Sequence, residues 1–287
     1  MSKREALLGI AVGRKGVGKT YTTLKLIQEY LKGDPSAGSH PRKVLILDVN
    51  NEFMDVKADQ DPRFQHIKAI SLDDIKKFTL SNKIEARRVS ILKPNGGKMN
   101  LVELAQALAH ILDNYQNGLL LIEDINKFVS DSLPNDLVGS IITQRHVSVD
   151  VITHFQSVGK AAHPKLWANC NWLRYHQCDD TVERHKGKFA GNIIHLKLLE
   201  KMVNIEYKKG NQRFYAYLNK DEGKIQGEFT KKQFQFAIYE YLQDNYNTAV
   251  KPLLAKKDIM TGEKIYKSHK DLAIKLIKEY TEDYYGN

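Results

Sequence analysis

The octapeptide Gly13-Arg14-Lys15-Gly16-Val17-Gly18-Lys19-Thr20 fits G-x-x-x-x-G-K-[ST] in full, and it leaves few folds open to this chain. Leu7 to Val12 before it is a short apolar run, the pattern of a strand buried on both faces. Tyr21 to Leu31 after it carries Leu24, Ile27 and Leu31 at helical spacing. A strand, a glycine loop and a helix in that order make a phosphate cradle. Glycines let backbone N–H groups converge where a Cβ would intrude, and the helix N-terminus adds its partial positive charge. Gly13 to Thr20, with Tyr21, are therefore expected to bind ATP. Lys19 would reach the β- and γ-phosphates, and the Thr20 hydroxyl would hold Mg2+.

Further apolar runs repeat the alternation. Val44 to Leu47 and Val89 to Leu92 read as strands, the latter closed by Pro94-Asn95-Gly96-Gly97. Leu101 to Leu112 reads as an amphipathic helix, Gly118 to Ile122 as the most apolar strand, and Asp136 to Thr143 as a helix. Val149 to Thr153 and Trp172 to His176 complete the strands. The expected fold is α/β: a mostly parallel sheet flanked by helices, a P-loop NTPase with a RecA-like (ASCE) core. Later, Val203, Ile205 and Tyr207 alternate before Lys209-Gly210-Asn211 and Phe214 to Leu218, which predicts a hairpin. Thr230 with Gln233, and Ser268 with Asp271, predict capped helices beyond it. The expected division is a core over residues 1–228 and a small helical extension over 229–287.

Leu119-Leu120-Leu121-Ile122-Glu123-Asp124 is an apolar strand ending in two acids, a Walker B pattern. One carboxylate would hold Mg2+ and the other would polarise the attacking water. Register gives the metal role to Glu123 and the catalytic role to Asp124. The usual order is Asp then Glu, so both assignments stay open at this point.

Two further stretches resemble the FtsK–HerA superfamily of DNA-pumping ATPases, which includes viral genome-packaging ATPases. Leu45-Ile46-Leu47-Asp48-Val49-Asn50-Asn51-Glu52-Phe53 is similar to that family's second strand running into D-x-x-x-E-[YF]. From Arg145 to Gln156 an arginine precedes a strand ending in glutamine, although the Arg-Pro that follows in the family is Ser157-Val158 here. The resemblance spans roughly residues 7–180. It implies that Gln156 contacts the γ-phosphate or the attacking water, and that Arg145 is an arginine finger serving a neighbouring subunit. It implies that Glu52 couples the nucleotide to a partner or to DNA. It also implies a homo-oligomeric ring, pentamer or hexamer, gripping double-stranded DNA and docked on a capsid portal or vertex in the host cytoplasm.

Charge agrees with a polyanionic partner: the formal net charge is +10 and the pI about 9.3. Residues 181–287 carry 20 Lys/Arg against 14 Asp/Glu, so about +6 of that surplus lies there. Arg87, Arg88, Lys93, Lys98, Lys186, Lys188, Lys208 and Lys209 are candidates for contacts in a ring lumen. Cys170 and Cys178 are too few for a disulfide framework, and with His176 they make at most half a metal site. No apolar run approaches the roughly 20 residues of a membrane span, and none resembles a signal peptide. The chain is expected to be soluble and cytoplasmic. An export ATPase of the same superfamily and a small-molecule kinase are the alternative readings.

Overall fold

The computed structural model describes residues 5–54, 61–90, 92–93, 96–124, 135–189, 191–266 and 268–286. Among the described residues nine strands form one sheet: β1 (Leu8–Val12), β2 (Lys43–Asp48), β3 (Lys68–Ile70), β4 (Ala86–Ser90), β5 (Gly118–Ile122), β6 (Asp150–Phe155), β7 (Trp172–His176), β8 (Tyr215–Asn219) and β9 (Lys224–Gln226). Their spatial order is β3-β4-β2-β5-β6-β1-β7-β8-β9. The strands from β3 to β7 in that order run parallel, and β8 and β9 add an antiparallel edge. The helices are α1 (Lys19–Lys32), α2 (Ile75–Leu80), α3 (Leu101–Asn114), α4 (Asn135–Thr143), α5 (Val158–Ala161), α6 (Pro164–Asn169), α7 (Ile193–Lys208), α8 (Lys231–Asp244), α9 (Lys251–Leu254) and α10 (His269–Tyr284).

Every residue of β1, β2, β5 and β6 is buried, as their continuous apolar runs predict for parallel strands covered on both faces. The cover is two hydrophobic clusters. One holds Leu24 and Ile27 of α1 against Val44, Ile46, Leu119 and Leu121. The larger holds Leu104, Leu108 and Ile111 of α3 against Leu45, Leu47, Leu120 and Ile122, so alternate residues of each strand serve opposite faces. The same cluster runs on through Leu199 and Val203 of α7 to Phe234 and Ile238 of α8 and Leu272 and Leu276 of α10. Gly9 marks a tight approach: a Cβ there would lie 2.1 Å from the Trp172 ring.

Three expectations are corrected. Val203, Ile205 and Tyr207 lie in α7, not in a hairpin strand. Leu196, Leu199, Met202, Val203 and Glu206 are buried at helical spacing, and five alternating residues also fit two helical turns. Lys209-Gly210-Asn211 is then the end of that helix, with Gly210 at φ 96°. The hairpin is β8–β9, turning through Gly223. The strand placed at Val89 to Leu92 begins earlier, at Ala86, and ends at Ser90, while Ile91, Pro94 and Asn95 lie outside the described residues. Arg88, offered as a lumen contact, is buried beside Asp48, with Nη1 3.7 Å from Oδ2. Arg87, Lys93, Lys186 and Lys209 are paired with Glu85, Glu103, Glu183 and Glu206.

Caps close the helices as expected at α8, where Thr230 and Gln233 exchange side-chain and backbone bonds, and Ser268 accepts from the Asp271 N–H at α10. Cys170 and Cys178 are buried free thiols, and burial pushes both up to about 12. No helix among the described residues is long and apolar enough to cross a membrane.

Asp48 ends β2 fully buried, where its carboxylate accepts the N–H groups of Glu52 at 2.8 Å and Phe53 at 3.1 Å. Burial outweighs those bonds and raises its pKa to about 6. The folded state therefore holds this proton more tightly than the unfolded chain. Its contribution to stability is complete below the unfolded value near 4 and fades as pH rises through about 6. Denaturant midpoints measured across that range should fall for the wild type. Asp48→Asn is expected to flatten the slope, a difference on the order of 3 kcal/mol.

Candidate functional site

The phosphate loop sits where β1 hands over to α1, and its backbone explains its glycines. Gly13 has φ 154°, and a Cβ there would lie 2.6 Å from the His176 Cβ. Gly18 caps α1 in the left-handed region at φ 89°. Among the described residues no backbone hydrogen bond is made by the N–H groups of Lys15, Gly16, Val17 or Gly18, so these donors are open to a ligand. Arg14, expected among the nucleotide-binding residues, has its side chain engaged outside the loop. Its N–H donates to the Gln177 carbonyl at 2.8 Å, and its guanidinium turns to Asp179 and to the Tyr207 hydroxyl. The reach of a long side chain lets Arg14 brace the loop from outside. Lys19 Nζ donates to the carbonyls of Gly13 and Arg14.

Strand order then decides what faces the loop. β6 is inserted between β1, which carries the phosphate loop, and β5, which carries Glu123 and Asp124. Gln156 at the end of β6 therefore emerges between the two. The fold is that of a P-loop NTPase. Gln156 Nε2 donates to Asp124 Oδ2 at 2.8 Å, and Asn50 Nδ2 donates to the same oxygen at 3.2 Å. Asp124 has φ 43°, a left-handed backbone for a non-glycine residue, at a buried position. Glu123 turns to the other side. Its Oε1 accepts from the Thr20 hydroxyl at 3.2 Å, and Thr20 also donates to Glu52.

These groups line one cavity of about 860 Å³ with Tyr21, Phe64 and Arg213, a size suited to a nucleotide. Burial pulls the Lys19 ammonium below the usual lysine range, while Glu123 and Glu52 oppose it. Burial would raise Glu123, but His154, Lys19 and the Thr20 hydroxyl together hold it below the usual carboxylate range. An ionised carboxylate facing a hydroxyl is a hard oxygen donor set. No cluster of three acidic, His or Cys ligands exists among the described residues. Mg2+ takes one or two protein oxygens and completes its shell with water and phosphate.

Arg213, Arg63, His154 and Arg174 carry no signal in local sequence, while Glu52 has one in its motif. Glu52 was read as a coupling residue, yet its carboxylate bonds the Thr20 hydroxyl inside the cavity. Arg213 comes from the loop after α7; its Cγ would lie 3.3 Å from a Cβ on Gly18, and its guanidinium stacks on Tyr21 at 5.2 Å. Arg63 stacks on the same ring at 4.2 Å. His154 and Arg174 lie beneath the loop, both fully buried. Strand periodicity marks such positions only as interior.

Arg145 is not among the residues brought together. It lies in the 3-10 turn Gln144–Val147 that precedes β6, whereas Gln156 follows β6. The strand separates them by six residues, about 20 Å.

No protein-family model and no curated protein matches the chain. Among solved structures it is similar to the genome-packaging NTPase B204 of Sulfolobus turreted icosahedral virus 2 in complex with AMP, at 16% identity and TM-score 0.49, covering 78% of this chain and 97% of that one. B204 of Sulfolobus turreted icosahedral virus, described as a DNA-packaging ATPase, aligns at 13% identity and TM-score 0.48, covering 76% and 95%. The N-terminal domain of zonular occludens toxin from Neisseria meningitidis aligns at 15% identity and TM-score 0.32, covering 61% and 79%.

Proposed function

We propose that this chain is an ATPase that drives double-stranded DNA, in the manner of a viral genome-packaging motor. A core of residues 1–228 would bear the site and residues 229–287 a helical extension. The observation that supports hydrolysis most is the Gln156–Asp124 bond beside Glu123 and Thr20, because it provides a water-polarising pair next to a metal-holding pair. A nucleotide kinase has no use for such a base.

In this reading the loop N–H groups and Lys19 bind the β- and γ-phosphates, and Thr20 and Glu123 hold Mg2+. The metal, when bound, offsets phosphate charge and polarises the γ-phosphorus. Gln156 orients a water in line with the γ-phosphorus, and Asp124 accepts its proton. The water oxygen bonds to phosphorus as the bond to the β–γ bridging oxygen breaks, giving ADP and phosphate. Arg145 of a neighbouring subunit offsets the charge of the transition state. That requires head-to-tail contacts closing a ring, pentamer or hexamer. The basic surplus supports a lumen that grips phosphates without reading sequence. The ring would work in the cytoplasm, docked on a capsid portal or vertex.

ATP turnover measured with and without duplex DNA tests the proposal. A severalfold rise with DNA that weakens as salt increases is expected. Turnover indifferent to DNA but dependent on a small phosphate acceptor would identify a kinase, and dependence on a protein partner would identify an export ATPase.

A further inference from the structure

Beneath the phosphate loop, four elements each contribute one buried polar side chain: Glu123 after β5, His154 on β6, Thr23 on α1 and Arg174 on β7. Thr23, His154 and Arg174 are each 0% exposed, and Glu123 is 3% exposed. Parallel pairing sets Ile122 against Thr153, so Glu123 falls beside His154. His154 Nδ1 lies 2.7 Å from Glu123 Oε2. On the far side of the ring, Nε2 lies 2.9 Å from Thr23 Oγ1 and 3.3 Å from Arg174 Nη2. Arg174 Nη2 donates to Thr23 Oγ1 and, at 3.4 Å, to the Lys19 carbonyl.

Proton placement follows from these partners. Arg174 can only donate, so Thr23 Oγ1 accepts from it and turns its own hydrogen elsewhere. His154 Nε2 faces both that hydroxyl and the guanidinium, which makes it the acceptor. The imidazole hydrogen is then on Nδ1, which meets Glu123 Oε2 at 2.7 Å as a charge contact without the angle of a hydrogen bond. A single donor direction runs Arg174 to Thr23 to His154, and the imidazole then meets Glu123 through the 2.7 Å contact. Arg174 Nε and Nη1 have no hydrogen-bond partner among the described residues, and no described carboxylate pairs with the guanidinium. A fully buried cation without a direct counter-charge costs several kcal/mol unless some anion balances it. Here the route to one leads through His154 to Glu123.

We infer that Arg174, Thr23 and His154 form a buried relay that fixes the Glu123 carboxylate, holding Oε2 so that Oε1 is presented beside Thr20 to the magnesium ion. These are positioning residues, since none lines up on the reacting phosphates. The inference rests on the proposed metal role of Glu123. It adds a specific device: a histidine one strand over, backed by a buried arginine, in place of the solvent or backbone contacts that commonly orient such a carboxylate.

The test is binding of a fluorescent ATP analogue at varied Mg2+, read as the Mg2+ concentration giving half-maximal tightening. His154→Leu is expected to raise that concentration roughly 10- to 100-fold, the usual effect of losing an outer partner of a metal-holding group. Analogue affinity in EDTA should change little. His154→Asn retains an N–H near the Nδ1 position and should recover most of the loss. A Mg2+ requirement unchanged in His154→Leu, or equally impaired in His154→Asn, overturns the relay. Should His154→Leu fail to fold, Thr23→Val cuts the same chain one link earlier; it should shift the Mg2+ requirement in the same direction, and no shift would overturn the relay. If the wild type itself shows no Mg2+-dependent affinity, the magnesium reading falls first and takes this inference with it.

Discussion

Lys19→Ala is expected to lower ATP turnover by about three orders of magnitude or more, with Mg-ATP affinity falling alongside it. The reason is local charge. Thr20 contacts both Glu52 and Glu123, and Asp124 follows directly, so three carboxylates border the place where the triphosphate would lie. Lys19 is the cation set among them, and its attraction to Glu123 and Glu52 opposes the effect of burial on its ammonium. Without it, the phosphates would meet those acidic groups with one cation fewer, leaving the backbone N–H groups, Lys15 and Arg213 to offset them. The nucleotide-free fold should survive, because among the described residues the Lys19 ammonium donates to carbonyls of its own loop. A steady-state phosphate-release assay beside a thermal-shift titration with Mg-ATP checks both halves. Turnover within tenfold of wild type would contradict the assignment of Gly13 to Thr20 as the catalytic phosphate loop.

Arg145→Ala should reduce turnover by about 10³-fold or more while leaving ATP binding nearly intact, the effect expected of an arginine that acts only on the transition state. The fold gives this prediction its particular form. Arg145 precedes β6 and the phosphates lie beyond its far end, so the residue and its own nucleotide are at opposite edges of the sheet. Any finger role must therefore be played toward another subunit. Mixing Arg145→Ala with Lys19→Ala protein should restore part of the activity, because interfaces that join an intact loop to an intact arginine would form. Two inactive variants that stay inactive when mixed, in an assembly shown by mass measurement to contain both, would remove Arg145 from the site.

The buried strands were legible because a parallel strand covered on both faces must be apolar throughout, and Leu119 to Ile122 cannot be read otherwise. The helix α7 was not. Val203, Ile205 and Tyr207 alternate over a window too short to distinguish the two periodicities, and only packing of Leu196, Leu199 and Val203 into the core separates them. Arg88 shows the same limit in another form. A lysine- or arginine-rich strand edge suggests an exposed cationic surface, yet register turns Arg88 inward to Asp48 while Arg87 pairs with Glu85.

Sequence by itself determined the phosphate loop, the acidic end of β5 and the alternating α/β architecture, because each depends on residues adjacent along the chain. Backbone conformation and hydrophobic period act over a few residues. The tertiary structure alone decided that β6 lies between the loop and the acids, that Glu52 and Arg213 enter the cavity, and that His154 and Arg174 meet beneath it. Those contacts join positions up to 195 residues apart in the chain. Strand order and side-chain register bring them together, and neither is encoded in any one local stretch.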